Sequence, residues 1–254
     1  MTGSLVVVGT GPGNPEQMTP EAAAAIAAAE DFFGYFPYLD RLSLRHDQRR
    51  HASDNREELA RAREALAMAE AGGKVCVVSG GDPGVFAMAA AVCEALEAGP
   101  EEWRDIDLTI IPGVTAMLAV AARAGAPLGH DFCAISLSTN LKPWHVIEDR
   151  IVAAAKAGFV MAFYNPISKA RPHQLGAALK LLRHHLPPSV PVIFGRAAGR
   201  PDEMIRTVTL TDAAPEMADM ATCIIVGTSE TRFIERGVKE PLVYSPRSHR
   251  DGGA

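Results

Sequence analysis

Cysteine is scarce: Cys76, Cys93, Cys133 and Cys223 are the only four in 254 residues, and no two form a CxxC pair. That excludes a disulfide framework and cysteine-rich zinc or redox motifs, and the thiols read as small hydrophobes in a reducing compartment. No apolar stretch approaches the ~18 residues needed to span a bilayer. The start, Met1-Thr2-Gly3-Ser4, lacks a basic region, and the apolar run Leu5 to Val8 is too short for a signal peptide. A cytoplasmic protein with no membrane partner is expected. Positive charge is not in excess either: 25 Lys and Arg face 30 Asp and Glu, a net charge of −5. Such a chain has no general attraction for nucleic acid, so an anionic substrate must be met by local basic groups. The eight histidines show no metal-ligand spacing, and His184-His185 near a helix end complements the helix dipole. No metal site is expected.

What is present suits an α/β protein. Hydrophobic residues make up 48% and charged residues 22%, enough for one large α/β domain or two compact ones. Leu5 to Val8 reads as a buried strand, and a helix opens with Thr19 as N-cap and Pro20 at its first position. Phe32 to Tyr35 reads as a strand, and Arg41 to His51 as an irregular basic stretch. Asp54 and Glu57 have capping-box spacing for a helix to about Ala71. Val75 to Val78 and Leu108 to Ile111 read as strands, with helices from Val85 to Leu96 and from Val114 to Arg123. This β-α alternation predicts a mainly parallel sheet. Beyond it, strands are expected at 132–137, 159–164, 190–194, 206–210 and 223–226, with helices at 144–157 and 173–186. That texture suggests a mixed sheet. The expected domains are 1–112 and 113–245, with a flexible tail at 246–254.

Three glycine-bearing loops follow strands: Gly9-Thr10-Gly11-Pro12-Gly13, Ser79-Gly80-Gly81-Asp82-Pro83-Gly84 and Ile111-Pro112-Gly113-Val114-Thr115-Ala116. The first is not a dinucleotide fingerprint of the G-x-G-x-x-G kind, because position 14 is Asn and the helix starts only at Thr19-Pro20. Glu30 or Asp31 could still supply the distal acid of that motif, so an NAD-type oxidoreductase stays open. A P-loop is excluded, since Gly73-Lys74 leads into a strand without Ser or Thr after the lysine. Any one of these loops could be a tight turn. Three at the carboxyl ends of parallel strands look like the rim of one site.

In their order along the chain, these loops and Ile224-Ile225-Val226-Gly227 resemble the tetrapyrrole methylases. Gly34-Tyr35 with Tyr38, Gly129-His130-Asp131-Phe132-Cys133, Pro143-Trp144 and Phe163-Tyr164-Asn165-Pro166 resemble the branch of that family that methylates carbon 17 of precorrin-3B. One departure is Phe36, where many relatives carry an acid, so no proton-transfer role carries over to that position.

The resemblance implies two α/β domains with a cleft between them, homodimer formation, and S-adenosyl-L-methionine as methyl donor. On the family pattern, Gly11, Pro12, Gly81, Asp82, Val85, Thr115, Ala116, Asn165 and Ala197 bind the donor. The implied reaction methylates carbon 17 of precorrin-3B with ring contraction to precorrin-4, in cobalamin biosynthesis. Asp82, His130 and Asp131 are candidate acids for the rearrangement. Tyr35 and Tyr164 are candidates for the macrocycle, and Arg45, Arg49 and Arg171 for its carboxylates. Transient contact with neighbouring pathway enzymes is a further expectation. The alternatives are a methylase of the same family acting at another corrin carbon or on cobalt-factor III, and, from other classes, the oxidoreductase or a noncatalytic tetrapyrrole carrier.

Overall fold

The computed structural model describes residues 3–54 and 56–248, and the chain divides into two compact units, 1–115 and 116–254. In the first unit, strand β1 (Ser4–Gly9) leads through the first glycine loop to helix α1 (Pro20–Ala28). The Thr19 side chain accepts the Ala22 N–H at 3.1 Å, the expected N-cap. Then come β2 (Asp31–Tyr35), a short α2 (Phe36–Leu39), β3 (Arg49–Ser53), α3 (Glu58–Glu70), β4 (Lys74–Ser79), α4 (Met88–Glu97) and β5 (Asp107–Ile111). The five strands form one sheet of order β3-β2-β4-β1-β5, parallel throughout. Leu5, Val7, Val75 and Val77 pack with α3 and α4, while Val8, Phe32, Cys76 and Val78 pack with α1. The alternation along each strand thus buries both faces.

Strand β3 replaces part of the stretch expected to be irregular. Arg49-Arg50-His51 has no apolar alternation, yet it pairs with β2 as a charged edge strand, and charge on an edge discourages further pairing. Arg49 and His51 converge on Asp31, whose side chain is fully buried: Arg49 Nε donates at 2.7 Å and His51 Nε2 lies at 2.8 Å. The His51 ring also stacks on Phe33, with centroids 4.4 Å apart. The Arg49 guanidinium, more than any other neighbour, holds the Asp31 carboxyl below the usual aspartate range. A depressed folded-state pKa stabilises above the unfolded value of about 3.9 and is lost as pH falls through the lower folded value. Asp31→Asn is therefore expected to cost about 1–3 kcal/mol at pH 7. In urea melts, the gap to the native chain should close as the pH is taken below about 4. A gap that stays constant down to pH 3 would refute the pairing.

Helices α3 and α4 begin later than the sequence suggests. Helix α3 starts at Glu58, with Glu57 as N-cap and its carboxylate accepting the Asp54 N–H at 3.2 Å, one half of a capping box. Helix α4 starts at Met88 rather than Val85, because Phe86 takes a left-handed φ of 53° and breaks the helical path.

The second unit contains α5 (Ala116–Ala124), β6 (Gly125–Ala126), β7 (Phe132–Ser136), α6 (Trp144–Lys156), β8 (Val160–Tyr164) and α7 (Gln174–Arg183). It continues with β9 (Pro191–Arg196), β10 (Met204–Thr209), β11 (Thr222–Val226), β12 (Arg232–Arg236) and β13 (Lys239–Tyr244). The main sheet has order β10-β9-β11-β8-β7, with β7 parallel to β8 and the other pairs antiparallel. Ile147, Ile151, Leu175 and Leu179 cover one face. Helix α5 presses on the other so closely that a Cβ on Gly195 would lie 2.1 Å from Val120 Cγ2.

A three-stranded sheet, β12-β13-β6, was not foreseen. Its strands are short and charged, turn at Gly237 with a φ of 66°, and carry no buried apolar run. Of the tail, residues 249–254 lie outside the described residues. No described helix is long and apolar enough to cross a membrane. Cys76 and Cys223 are buried, and burial pushes both thiols up to about 12.

Candidate functional site

The first unit brings its three glycine loops together. The order β3-β2-β4-β1-β5 means that the chain leaves β1 toward one side of the sheet and leaves β4 toward the other. Open parallel sheets bind ligands beyond the carboxyl ends of their strands at such a reversal. The loops after β1 and β4 do not splay apart there. Gly11 N–H donates to Gly81 O at 3.1 Å, and Gly81 N–H donates to Gly11 O at 2.8 Å, a two-residue antiparallel bridge. Thr10 donates to Ser79 O from both its N–H, at 2.9 Å, and its hydroxyl, at 3.1 Å.

The loop after β5 joins the other two through Asp82. One carboxylate oxygen accepts the Gly84 N–H at 2.8 Å, and the other accepts the Gly113 N–H at 3.0 Å. A Cβ on Gly9 would lie 2.7 Å from both Gly113 N and Gly81 O, and one on Gly113 only 2.3 Å from Gly81 O. Gly11 and Gly81 have φ of 73° and 69°, a conformation that costs glycine little. These three loops form one rigid rim of close-packed backbone, a surface that suits close approach of a ligand. Val85 N–H donates to Asp82 O at 3.3 Å, and Gly11, Pro12 and Thr115 are buried at the rim.

At the carboxyl end of β2, Tyr35 stands edge-on to Tyr38, with centroids 5.5 Å apart. Tyr38 in turn packs on Gly80, where a Cβ would meet its ring at 2.6 Å, and Arg41 lies 5.7 Å from the ring centre. Register places Gly34 beside Val78, so Tyr35 sits level with the start of the second glycine loop. Arg61 went unnoticed in the sequence. It occupies the apolar face of α3 with Ala62, Ala65 and Ala69, almost wholly buried. Its guanidinium donates to Ser53 Oγ at 2.8 Å and Asp54 O at 2.6 Å and touches Met88 Sδ at 3.3 Å, and desolvation lowers its pKa. It thus ties the end of β3 to the start of α4. An arginine within an alanine stripe was the available signal.

Arg45 and Arg49, expected to meet substrate carboxylates, are placed elsewhere. Arg45 is engaged by Asp47 at 3.1 Å and by Ala27 O at 2.7 Å, and Arg49 by Asp31. Both precede or begin β3, roughly 16 Å from the rim for a five-residue strand. Arg49 carries its charge on the edge of the sheet, and Arg45 braces the end of α1.

The second unit has its own cluster at the carboxyl ends of β8 and β9. Ser136 pairs with Tyr164, and both Phe163 and Phe194 lie opposite Ile224, so Asn165 and Ala197 leave the sheet at one end. Both are left-handed, with φ of 52° and 50°. With Phe86 they are the non-glycine residues so held among the described residues. Backbone strain of this kind, about 1–3 kcal/mol each, gathers at functional sites. Asn165 Nδ2 donates to Ser136 Oγ at 3.1 Å, and its carbonyl accepts Arg171 Nη1 at 3.1 Å. Arg171 is buried, desolvation lowers its pKa, and no described carboxylate lies within 4 Å of it. The Tyr164 hydroxyl accepts the Met117 N–H at 3.0 Å, holding the first turn of α5, which Ala116 opens.

His130 and Asp131 do not join this cluster. They precede β7, and Asp131 O accepts the Val160 N–H at the start of β8. They therefore stand about 16 Å away, at the opposite end of the sheet from Asn165. The His130 ring is tied to its neighbour, with Nδ1 accepting the Asp131 N–H at 2.8 Å. The sheet thus separates these two candidate acids from the Asn165 cluster. Among the described residues no three His, Cys, Asp or Glu side chains converge as a metal site.

Known proteins resemble this chain. The family profile described as Tetrapyrrole (Corrin/Porphyrin) Methylases matches residues 4–214. A precorrin-3B C(17)-methyltransferase from a Sinorhizobium species is 70% identical over 247 residues, 97% of each chain. The crystal structure of the methyltransferase CobJ superposes with a TM-score of 0.91 at 52% identity, over 96% of this chain and 100% of that one. A uroporphyrin-III C-methyltransferase from Thermus thermophilus, in complex with S-adenosyl homocysteine, shares the fold at a TM-score of 0.68 and 22% identity, over 89% of this chain and 97% of that one. With the profile covering most of its length and a relative this similar end to end, the chain belongs to the tetrapyrrole (corrin/porphyrin) methylases.

Proposed function

We propose that this chain transfers the methyl group of S-adenosyl-L-methionine to carbon 17 of precorrin-3B, with contraction of the macrocycle to precorrin-4 in cobalamin biosynthesis. The observation that carries this reading is the fused glycine rim at the reversal point of the parallel sheet. The 70% identity, over 97% of each chain, with a relative named precorrin-3B C(17)-methyltransferase supports the choice of carbon. The donor supplies an electrophilic methyl sulfonium, so no protein nucleophile is needed. The rim fits such a group in that its glycines present backbone without side chains, which a bound molecule can approach closely.

The residues then bind and orient. Gly11, Pro12, Gly81, Val85, Thr115 and Ala116 hold the donor, and on the family pattern Asn165 and Ala197 belong to the same set. Tyr35 and Tyr164 meet the macrocycle. Arg171, a buried cation without a carboxylate partner among the described residues, takes a peripheral carboxylate of the substrate. Holding the two reacting atoms in line is worth up to ~7–11 kcal/mol in favourable cases. Asp82 acts by fixing loops rather than by proton transfer. We place the enzyme in the cytoplasm as a homodimer, the latter to be checked by light scattering.

Calorimetric titration tests the donor site: S-adenosylhomocysteine should bind at one site per chain, and NADH should not bind. Incubation of precorrin-3B with the donor should then give precorrin-4, while cobalt-factor III should be a poor substrate. NADH binding without homocysteine-nucleoside binding would restore the oxidoreductase alternative. Tight precorrin binding without turnover would favour a carrier.

A further inference from the structure

Gln17 ends a 3-10 turn, Pro15–Gln17, that follows the first glycine loop. Its backbone is pressed against that loop: a Cβ on Gly11 would lie 2.8 Å from Gln17 O and 3.7 Å from Gln17 Cβ. Its N–H donates to Asn14 O at 2.9 Å, so the main chain is anchored. The side chain is not. Among the described residues, Gln17 Oε1 is the buried side-chain polar atom that has no hydrogen-bond partner. Every other buried side-chain oxygen or nitrogen in that set is satisfied, including those of Arg61, Thr231 and Ser245. A buried acceptor left alone is destabilising, and such an atom in a native structure calls for an explanation, a bound ligand among them.

We propose that Gln17 is a recognition residue for the methyl donor, its Oε1 accepting a hydrogen bond from an N–H or O–H group of the bound molecule. This rests on the donor site proposed above. The position favours it: Gly11, on which Gln17 packs, is itself bridged to Gly81 in the centre of the rim. The donor molecule offers matching groups on both halves, amino and hydroxyl on the nucleoside and ammonium on the amino acid. An acceptor-only atom selects for such donors, and the unpaired state in the free protein penalises the empty form relative to the complex.

That asymmetry gives a signature no merely structural residue would show. Gln17→Met, and Gln17→Ala as a second variant, remove the orphan acceptor. Both should leave the melting temperature of the ligand-free protein unchanged or raised, while weakening S-adenosylhomocysteine binding by about tenfold in calorimetry. Titration with 5′-methylthioadenosine, which lacks the amino-acid half, locates the partner. An equal loss for both ligands places it on the nucleoside, and a loss for S-adenosylhomocysteine alone places it on the ammonium. Native-like binding by both variants overturns the proposal and leaves the donor site standing. So does a fall in melting temperature that accounts for the weaker binding. Failure of the unaltered protein to bind S-adenosylhomocysteine at all removes the donor site itself.

Discussion

Replacing Gly113 with alanine is expected to weaken donor binding by up to roughly a hundredfold while leaving a folded protein. The added Cβ would stand 2.3 Å from Gly81 O and 2.9 Å from Gly9 C and O, all backbone atoms of the other two loops. No rotamer change relieves a clash with backbone, so the third loop must move away. That movement breaks the 3.0 Å bond from Gly113 N–H to Asp82 and opens the rim. Overpacking of this kind costs about 1–3 kcal/mol, and at ~1.4 kcal/mol per tenfold the upper end is roughly a hundredfold in Kd. The melting temperature should fall by roughly 3–10 °C for a chain of this size. Gly84→Ala is the control on the same rim. Its Cβ would meet only Asp82 Oδ1, at 3.2 Å, and binding should stay within a few-fold. Equal binding by the Gly113 variant and the native chain would mean that the rim does not hold the donor.

The contrast between those two glycines shows what a sequence carries and what it withholds. The strands of the first unit are legible because Leu5 to Val8 and Val75 to Val78 are buried on both faces and therefore apolar throughout. Thr19-Pro20 marks a helix start because capping chemistry is local. That three glycine loops share one rim is legible from their places after parallel strands, but their hydrogen bonds span 31 residues from Asp82 to Gly113 and 70 from Gly11 to Gly81. No local pattern separates Gly113, where a Cβ meets backbone, from Gly84, where it meets one side chain. Strand β3 was hidden because its charges are paired in space, with Asp31 and Asp40, and not along the chain. The basic stretch at Arg45 and Arg49 invited a substrate role for the same reason. His130 and Asp131 are candidates for acids by residue type. Only the register of β7 against β8 puts them at the far end of the sheet.

Asp82 is where a catalytic and a positioning role make opposite kinetic predictions. A general acid must present a proton to the substrate, and its loss lowers turnover by about 10²–10⁴-fold while donor affinity is kept. In this structure both carboxylate oxygens accept backbone N–H groups, from Gly84 and Gly113, and so clasp two loops together. Asp82→Asn keeps one acceptor and turns the other toward an N–H as an NH₂ group, so one of the two bonds is lost and replaced by repulsion. A hydrogen bond to a charged group contributes about 1.5–3 kcal/mol, so Kd for S-adenosylhomocysteine should rise roughly ten- to a hundredfold. At saturating donor, single-turnover methylation should fall by less than about tenfold, because the reacting atoms lose alignment but no proton donor. Asp82→Ala, which frees both N–H groups, should weaken binding further. A variant that binds the donor normally and turns over a thousandfold more slowly would return Asp82 to the role of acid.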